Sequence, residues 1–323
     1  MLSRTLTAAV LFAAPLLSVP VALAQTWPAK TVRIVVPFAA GGASDTQGRL
    51  LAKKYTESPG RAFVVENRTG AAGMIGAEYV VRAPADGYTL LFTTASLSVN
   101  AALAGPKSKF DPTKDLTPVI WVSSVPLVLN VHPTVPAKSV KELVALSKRQ
   151  KTGLNAGHHG NGTTNQIALE MLVQQAGARL VQVPYKGGTP STIALLSGEV
   201  DLVFSTLTTV IPHLQSGRLR GLAVSTKKPS SILPNLPTMD SIYPGFESDN
   251  WFGMFVAAGT PKEIVAKLYS VAAEALKSPE LRDIITKDGG DVVAGAPDEL
   301  GAHLRSEITR YTRVIKAANI KPE

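Results

Sequence analysis

The feature that most constrains this chain is a repeated beat: a short β-branched run, a glycine-rich turn, then a segment with helical periodicity. Such runs occupy 32–36, 64–65, 88–93, 127–131, 153–156, 180–183, 200–204, 219–224 and 252–256. Between them, 44–56 sets Leu50, Leu51 and Tyr55 on one face, and 163–175 does the same with Ile167, Met171 and Leu172. Apolar residues three and four apart mark a helix that buries one stripe. The stretches 140–149, 193–196, 264–276 and 297–317 follow the same logic. Strands alternating with helices at this spacing predict an α/β architecture with mostly parallel sheets. Nine strands exceed one typical sheet, yet no Gly/Ser linker, repeat or low-complexity tract divides the chain. Two lobes joined by more than one crossover satisfy both facts. The crossings are expected near Val125-Pro126 and Trp251-Phe252, which makes 25–124 with 252–323 one lobe and 125–251 the other. The most irregular stretch is 227–250, with Pro229, Pro234, Pro237 and Pro244.

Residues 1–24 read as an address. Arg4 is their only charge, the run from Leu6 to Ala24 is apolar but interrupted by Pro15 and Pro20, and it closes in Ala22-Leu23-Ala24. That small-x-small ending suits a signal peptidase, whereas a membrane anchor needs roughly 20 uninterrupted apolar residues. A signal peptide, a mature start at Gln25 and a periplasmic product are expected. The chain has no cysteine, which excludes disulfides, thiolate metal sites and a thiol nucleophile. Its formal charge is +9, but Lys and Arg are scattered without a basic run or interleaved aromatics. A basic, solvated surface follows, and nucleic acid is not an expected partner.

The stretch from Asn155 to Leu172 raises the question of chemistry, since His158-His159 sits among glycines. Neighbouring residues on an extended backbone point to opposite sides, and His132, His213 and His303 supply no HxH or HxxxH spacing. No metal site and no cofactor are expected. Neither Gly41-Gly42 nor Gly160-Asn161-Gly162 is followed by the Lys-Ser/Thr of a phosphate loop, and no G-x-S-x-G occurs. Asp45 and Asp201 are the only acids beside glycine-rich or strand-end turns, and each has a structural explanation. No catalytic constellation emerges, so an enzyme is not expected.

One device does recur. At Gly41-Gly42-Ala43-Ser44, Gly160-Asn161-Gly162-Thr163-Thr164 and Gly187-Gly188-Thr189-Pro190-Ser191 a strand ends and a helix begins with hydroxyl residues. Glycines let the backbone come close to a ligand. A helix start leaves amide N–H groups unpaired and partly positive, an anion seat that needs no lysine or arginine. Several such seats suit an anion with two acidic ends.

The order and spacing of further stretches carry a family resemblance: Trp27-Pro28, Ile34 to Asp45, Glu66-Asn67-Arg68, Gly70 to Gly76 and Ala85 to Leu90. Gly160-Asn161-Gly162-Thr163, Val183 to Gly187, Gly198 to Asp201, Leu236-Pro237-Thr238, Trp251-Phe252-Gly253 and Gly259-Thr260-Pro261 continue it. From Trp27 to Lys321 the chain resembles the Bug-type extracytoplasmic solute receptors of tripartite tricarboxylate transporters. The resemblance implies a type II periplasmic binding protein fold, two α/β lobes with a ligand cleft between them. It implies a small carboxylate ligand, a monomeric receptor and a membrane permease as partner; a ligand-presenting partner of a sensor kinase and a secreted hydrolase are the alternative readings. The residues expected to contact ligand are Phe38, Ala39, Gly41, Gly42, Ser44 and Asp45; Ser96; His158, Gly160, Asn161, Gly162 and Thr163; Lys186, Gly187 and Gly188; and Ser205. A histidine replaces the usual serine before the Gly-Asn-Gly turn, Gln166 replaces a common histidine, and Ser205 stands where relatives for amino acids carry an aspartate. A dicarboxylate, aromatic in the manner of terephthalate or otherwise, is therefore the expected cargo.

Overall fold

A computed structural model describes residues 27–57, 62–185 and 187–320; the leader assigned to 1–24 and Lys186 lie outside the described residues. The strands are β1 (Val32–Val36), β2 (Phe63–Asn67), β3 (Thr89–Thr94), β4 (Leu116–Val131), β5 (Leu154–His158), β6 (Leu180–Pro184), β7 (Leu202–Thr206), β8 (Arg220–Val224), β9 (Asp249–Ala257) and β10 (Asp291–Gly295). The helices are α1 (Ala43–Glu57), α2 (Met74–Val81), α3 (Ser96–Ala104), α4 (Pro112–Asp115), α5 (Val140–Arg149) and α6 (Thr164–Ala176). They continue with α7 (Gly188–Ser197), α8 (Leu207–Gln215), α9 (Met239–Ile242), α10 (Lys262–Ala275), α11 (Pro279–Lys287) and α12 (Pro297–Ala318).

The strands form two sheets that share β4. In the first the order is β2-β1-β3-β9-β4, with β10 on the far side of β4; in the second β4 pairs β7 and β8, and β7 leads to β5 and β6. The change of sheet falls between neighbouring residues, since Pro126 is registered with Asp249 and Leu127 with Thr206. The expectation of mostly parallel pairing needs correction. Only β1-β2, β1-β3, β5-β6 and β5-β7 are parallel. Every antiparallel ladder among the described residues involves β4, which passes from one sheet to the other, or β9, which lies in the first.

Each sheet has its own core. Val36, Leu51, Tyr55, Leu90, Phe92, Met254 and Leu268 lie together under the first, and Leu129, Leu143, Ile167, Met171, Phe204 and Phe246 under the second. Each such side chain contributes about 1.5–3 kcal/mol through burial, which is how a chain without disulfides holds its shape. Tyr55 meets its polar cost by donating to the Leu268 carbonyl at 2.6 Å. Helix ends follow local chemistry. The Thr163 hydroxyl caps α6 by accepting from the Gln166 N–H, and Gly177 closes the helix at φ +66°, a left-handed conformation that favours glycine. The 22-residue α12 serves both sheets: Leu300 and Leu304 pack with Trp251 and Phe255, whereas Tyr311, Val314 and Ile315 join the core of the second sheet.

Candidate ligand cleft

The anion seats inferred from sequence stand at the carboxyl ends of strands, where α/β sheets leave room for ligands. The first follows β1. Asp45, in the first turn of α1, faces back into the turn: its Oδ2 accepts the Gly41 N–H at 2.9 Å and Arg49 Nε at 2.9 Å, and its Oδ1 accepts Asn67 Nδ2 at 2.9 Å. The same Asn67 amide donates to the Phe38 carbonyl at 3.0 Å. Burial works to raise the Asp45 pKa, but the bonds from Arg49, Gly41 and Asn67 outweigh it and hold the carboxyl at about 2. Asp45 and the Gly41 amide are thus engaged in shaping the loop. The segment they shape leaves Ala39, Gly41 and Gly42 exposed and Ser44 buried. Phe38 is half-buried and packs towards Gly73, where an added Cβ would come within 3.2 Å of its ring.

The second seat joins β5 to α6. Gly162 N donates to Gln166 Oε1 at 2.9 Å, the Thr163 hydroxyl to the Gly160 carbonyl at 2.8 Å, and His158 Nδ1 pairs with the same carbonyl at 3.0 Å. Gly160 and Gly162 have φ of +118° and +72°, so the loop adopts a course that side chains resist. It meets the first sheet's side through α3, because a Cβ on Gly162 would lie 3.0 Å from Leu103 Cδ1. A cavity of about 380 Å³ at that junction touches Asn161 and Gly162 together with Asn100, Leu103 and Phe110. Ser96 starts α3 on the same side, its N–H and hydroxyl both paired with Thr94 Oγ1.

The third seat is the start of α7. Gly187 N donates to the His159 carbonyl at 3.2 Å, and a Cβ on Gly188 would come within 3.2 Å of the His159 ring and 3.6 Å of Thr209. Thr192 lies one turn on from Gly188 and shares its face. β5 and β7 are parallel with Gly157 opposite Val203, so two residues further on His159 stands level with Ser205 on the same side. Three buried polar atoms on the turn after β5, on α7 and on β7 have no hydrogen-bond partner among the described residues: His159 Nε2, Thr192 Oγ1 and Ser205 Oγ. Burial pushes the His159 pKa down to about 4, helped by the neighbouring His158, so the ring is neutral at ordinary pH. Burial also lowers His158, whose ring faces the other way and holds the Gly160 turn. His159 Nε2 is thus left buried without a partner, whereas His158 Nδ1 is paired with the Gly160 carbonyl. The sequence left the choice between His158 and His159 open and did not single out Thr192, which the packing of α7 brings in.

The residues from 48 to 320 match the model of the tripartite tricarboxylate transporter family receptor. The chain belongs to this receptor family. Its members are periplasmic solute receptors, not enzymes. Among similar proteins, BugT of Bordetella pertussis is 33% identical over 301 residues, covering 92% of each chain. The structure of R. palustris Rpa4515 with adipate is 35% identical, with a TM-score of 0.76 over 92% of this chain and all of that one. MatC from Rhodopseudomonas palustris with bound malate is 30% identical, with a TM-score of 0.72 over 90% of this chain and all of that one. The family brings with it the two-lobed periplasmic binding fold and the binding of small carboxylates for transport.

Proposed function

We propose that this receptor captures a dicarboxylate between lobes formed by 25–124 with 252–323 and by 125–251, and delivers it to the membrane permease of a tripartite transporter. The observation that carries the reading is the neutral, buried and unpartnered trio of His159, Thr192 and Ser205 beside the start of α7. Buried polar atoms without partners cost stability, and a ligand carboxylate entering there supplies acceptors for their hydrogens. The amides at the starts of α1 and α6 serve its other acidic end, with Phe38, Ala39, Gly42, Ser44, Ser96, Asn161 and Thr163 around it. No carboxylate stands among these three groups to balance an ammonium, and Ser205 occupies the place of an aspartate, which disfavours amino acids. Adipate and malate in two similar structures are both dicarboxylates, in keeping with this choice. Export through the leader at 1–24 and action as a monomer belong to the same proposal.

Titration calorimetry of the chain from Gln25 against aliphatic and aromatic dicarboxylates tests it. A hit of micromolar affinity or tighter is expected, about −8 kcal/mol or stronger. Silence across mono-, di- and tricarboxylates would overturn it, as would a preference for amino acids.

A further inference from the structure

Where the sheets exchange strands, a second polar cluster lies outside the cleft. Asp249 opens β9, and α12 brings His303 and Glu307 to it from one turn apart. His303 Nε2 stands 3.8 Å from Asp249 Oδ1 and 3.7 Å from Glu307 Oε1, and the three atoms all lie within 4.8 Å of one another. The remaining carboxylate oxygens are pinned: Asp249 Oδ2 accepts the Ser124 hydroxyl, and Glu307 Oε2 accepts the Ser98 hydroxyl and the Trp251 indole N–H. Glu307 Oε1 also accepts the Tyr311 hydroxyl. Asp249 Oδ1 and His303 Nε2 have no hydrogen-bond partner, although Asp249 is only 2% exposed. Orphan atoms facing each other in a core call for something between them.

The charges ask for the same thing. Glu247, Asp249 and Glu307 bring three carboxylates, against Arg310, which binds Glu247 at 3.0 Å, and Lys227, also 3.0 Å from Glu247. Three carboxylates against two cations leave one net negative charge, which attracts a cation. We propose that Asp249, His303 and Glu307 bind a single divalent transition-metal ion, with zinc the best fit, at the junction of the two sheets. Zinc bonds of about 2.0–2.1 Å place tetrahedral ligand atoms about 3.3 Å apart, so the two spacings to His303 need to contract by about half an ångström and the carboxylate pair has to close from within 4.8 Å. One imidazole with two carboxylates suits zinc and its transition-metal neighbours better than magnesium or calcium. The outer shell is in place: Ser124, Ser98, Trp251 and Tyr311 orient the carboxylates, and the Trp121 ring stacks on the imidazole with centroids 4.1 Å apart. A cavity of about 700 Å³ lined by Trp121, Ser124, Glu247 and Asp249 lies beside the cluster. Arg310 Nη2, 3.8 Å from Glu307 Oε1, opposes the ion, but its bond to Glu247 draws it aside. In a chain without cysteine, the ion would tie β9 to α12 where β4 changes sheet.

The test uses the untagged chain stripped with chelator, titrated with zinc by calorimetry and with cobalt by visible absorption and tryptophan emission. One ion per chain is expected, with tetrahedral cobalt bands, quenching of Trp121 and Trp251, and a higher Tm with zinc. His303→Gln and Asp249→Asn should each weaken zinc binding at least about 100-fold, the upper size seen for outer-shell changes alone, while His132→Gln and His213→Gln leave it intact. Absence of stoichiometric binding overturns the proposal. So does affinity that survives both cluster variants, or a Tm that answers to pH and not to zinc, which would mean that a proton fills the gap. If His303→Gln fails to fold, the wild-type cobalt spectrum and Asp249→Asn decide.

Discussion

The loop after β1 and the floor beneath α7 are built on opposite plans. Around Asp45 every strong polar group has found a partner: Gly41, Arg49 and Asn67 all give to one carboxylate. Around Ser205, three polar atoms have been buried and left waiting. The first region has spent its chemistry on holding a shape, so that its backbone meets a ligand already in place. The second keeps its chemistry in reserve and bears the cost in the free protein. Stability and affinity should therefore respond in the same direction to changes in the first region and in opposite directions in the second.

The largest effect is expected at the seam between lobes. Gly162→Asp places a charge at φ +72° within reach of Leu103 and Asn100, and dicarboxylate affinity should fall by at least about 100-fold, near 2.7 kcal/mol. Calorimetry, with circular dichroism to confirm the fold, reads this; retained affinity would show that the loop does not face the ligand. Next comes Asp45→Asn. The depressed pKa of Asp45 contributes about 2 kcal/mol above the unfolded carboxyl's usual value, a contribution lost as pH falls through about 2. The variant should lose that amount at pH 7 and bind more weakly, and its deficit should shrink progressively on acidification towards pH 2. A deficit of equal size throughout would count against the ion-pair account.

Ser205→Ala and Thr192→Val sharpen the contrast. Each removes an unsatisfied hydroxyl, so the free protein should keep its stability or gain up to about 1 kcal/mol, while affinity drops about five- to thirtyfold. If both quantities fall together, these hydroxyls are structural and the comparison with the Asp45 loop collapses. The smallest effect is on pH. With a folded pKa of about 4, against about 6.5 when unfolded, His159 contributes stability fully above the unfolded value and loses it as pH falls towards 4. A bound dianion favours the protonated ring and raises that pKa, so the complex takes up a proton. Affinity should therefore tighten modestly from about pH 7 to about pH 5.5 in the wild type and stay flat in His159→Gln.

The glycine-hydroxyl turns at 41–44, 160–164 and 187–191 were legible from sequence because their backbone demands are local, and helix starts do stand there. The choice between His158 and His159 was not, since it depends on which face of β5 covers which helix, a fact set by β7 four elements later. The same holds for the sixteen-residue β4, of which only 127–131 is expected from sequence; its earlier half contains Pro118 and draws its register from β9, distant in sequence. The Asp249-His303-Glu307 cluster escaped for a related reason: its spacing is His-x-x-x-Glu with the third member on another element, so no contiguous pattern announces it. Asp45 was recognised as a possible loop-former, but the donors at Arg49 and Asn67 that consume it come from a helix turn and a neighbouring strand.

β4 has a mechanical meaning as well. A flexible tether between two halves stores nothing when it bends, whereas a strand laddered on both sides of Pro126 resists rotation like a torsion bar. Proline at that point has no N–H to give to a neighbour, which concentrates the twist at one residue. Grip and release would then work against an elastic restoring force fixed by the backbone itself.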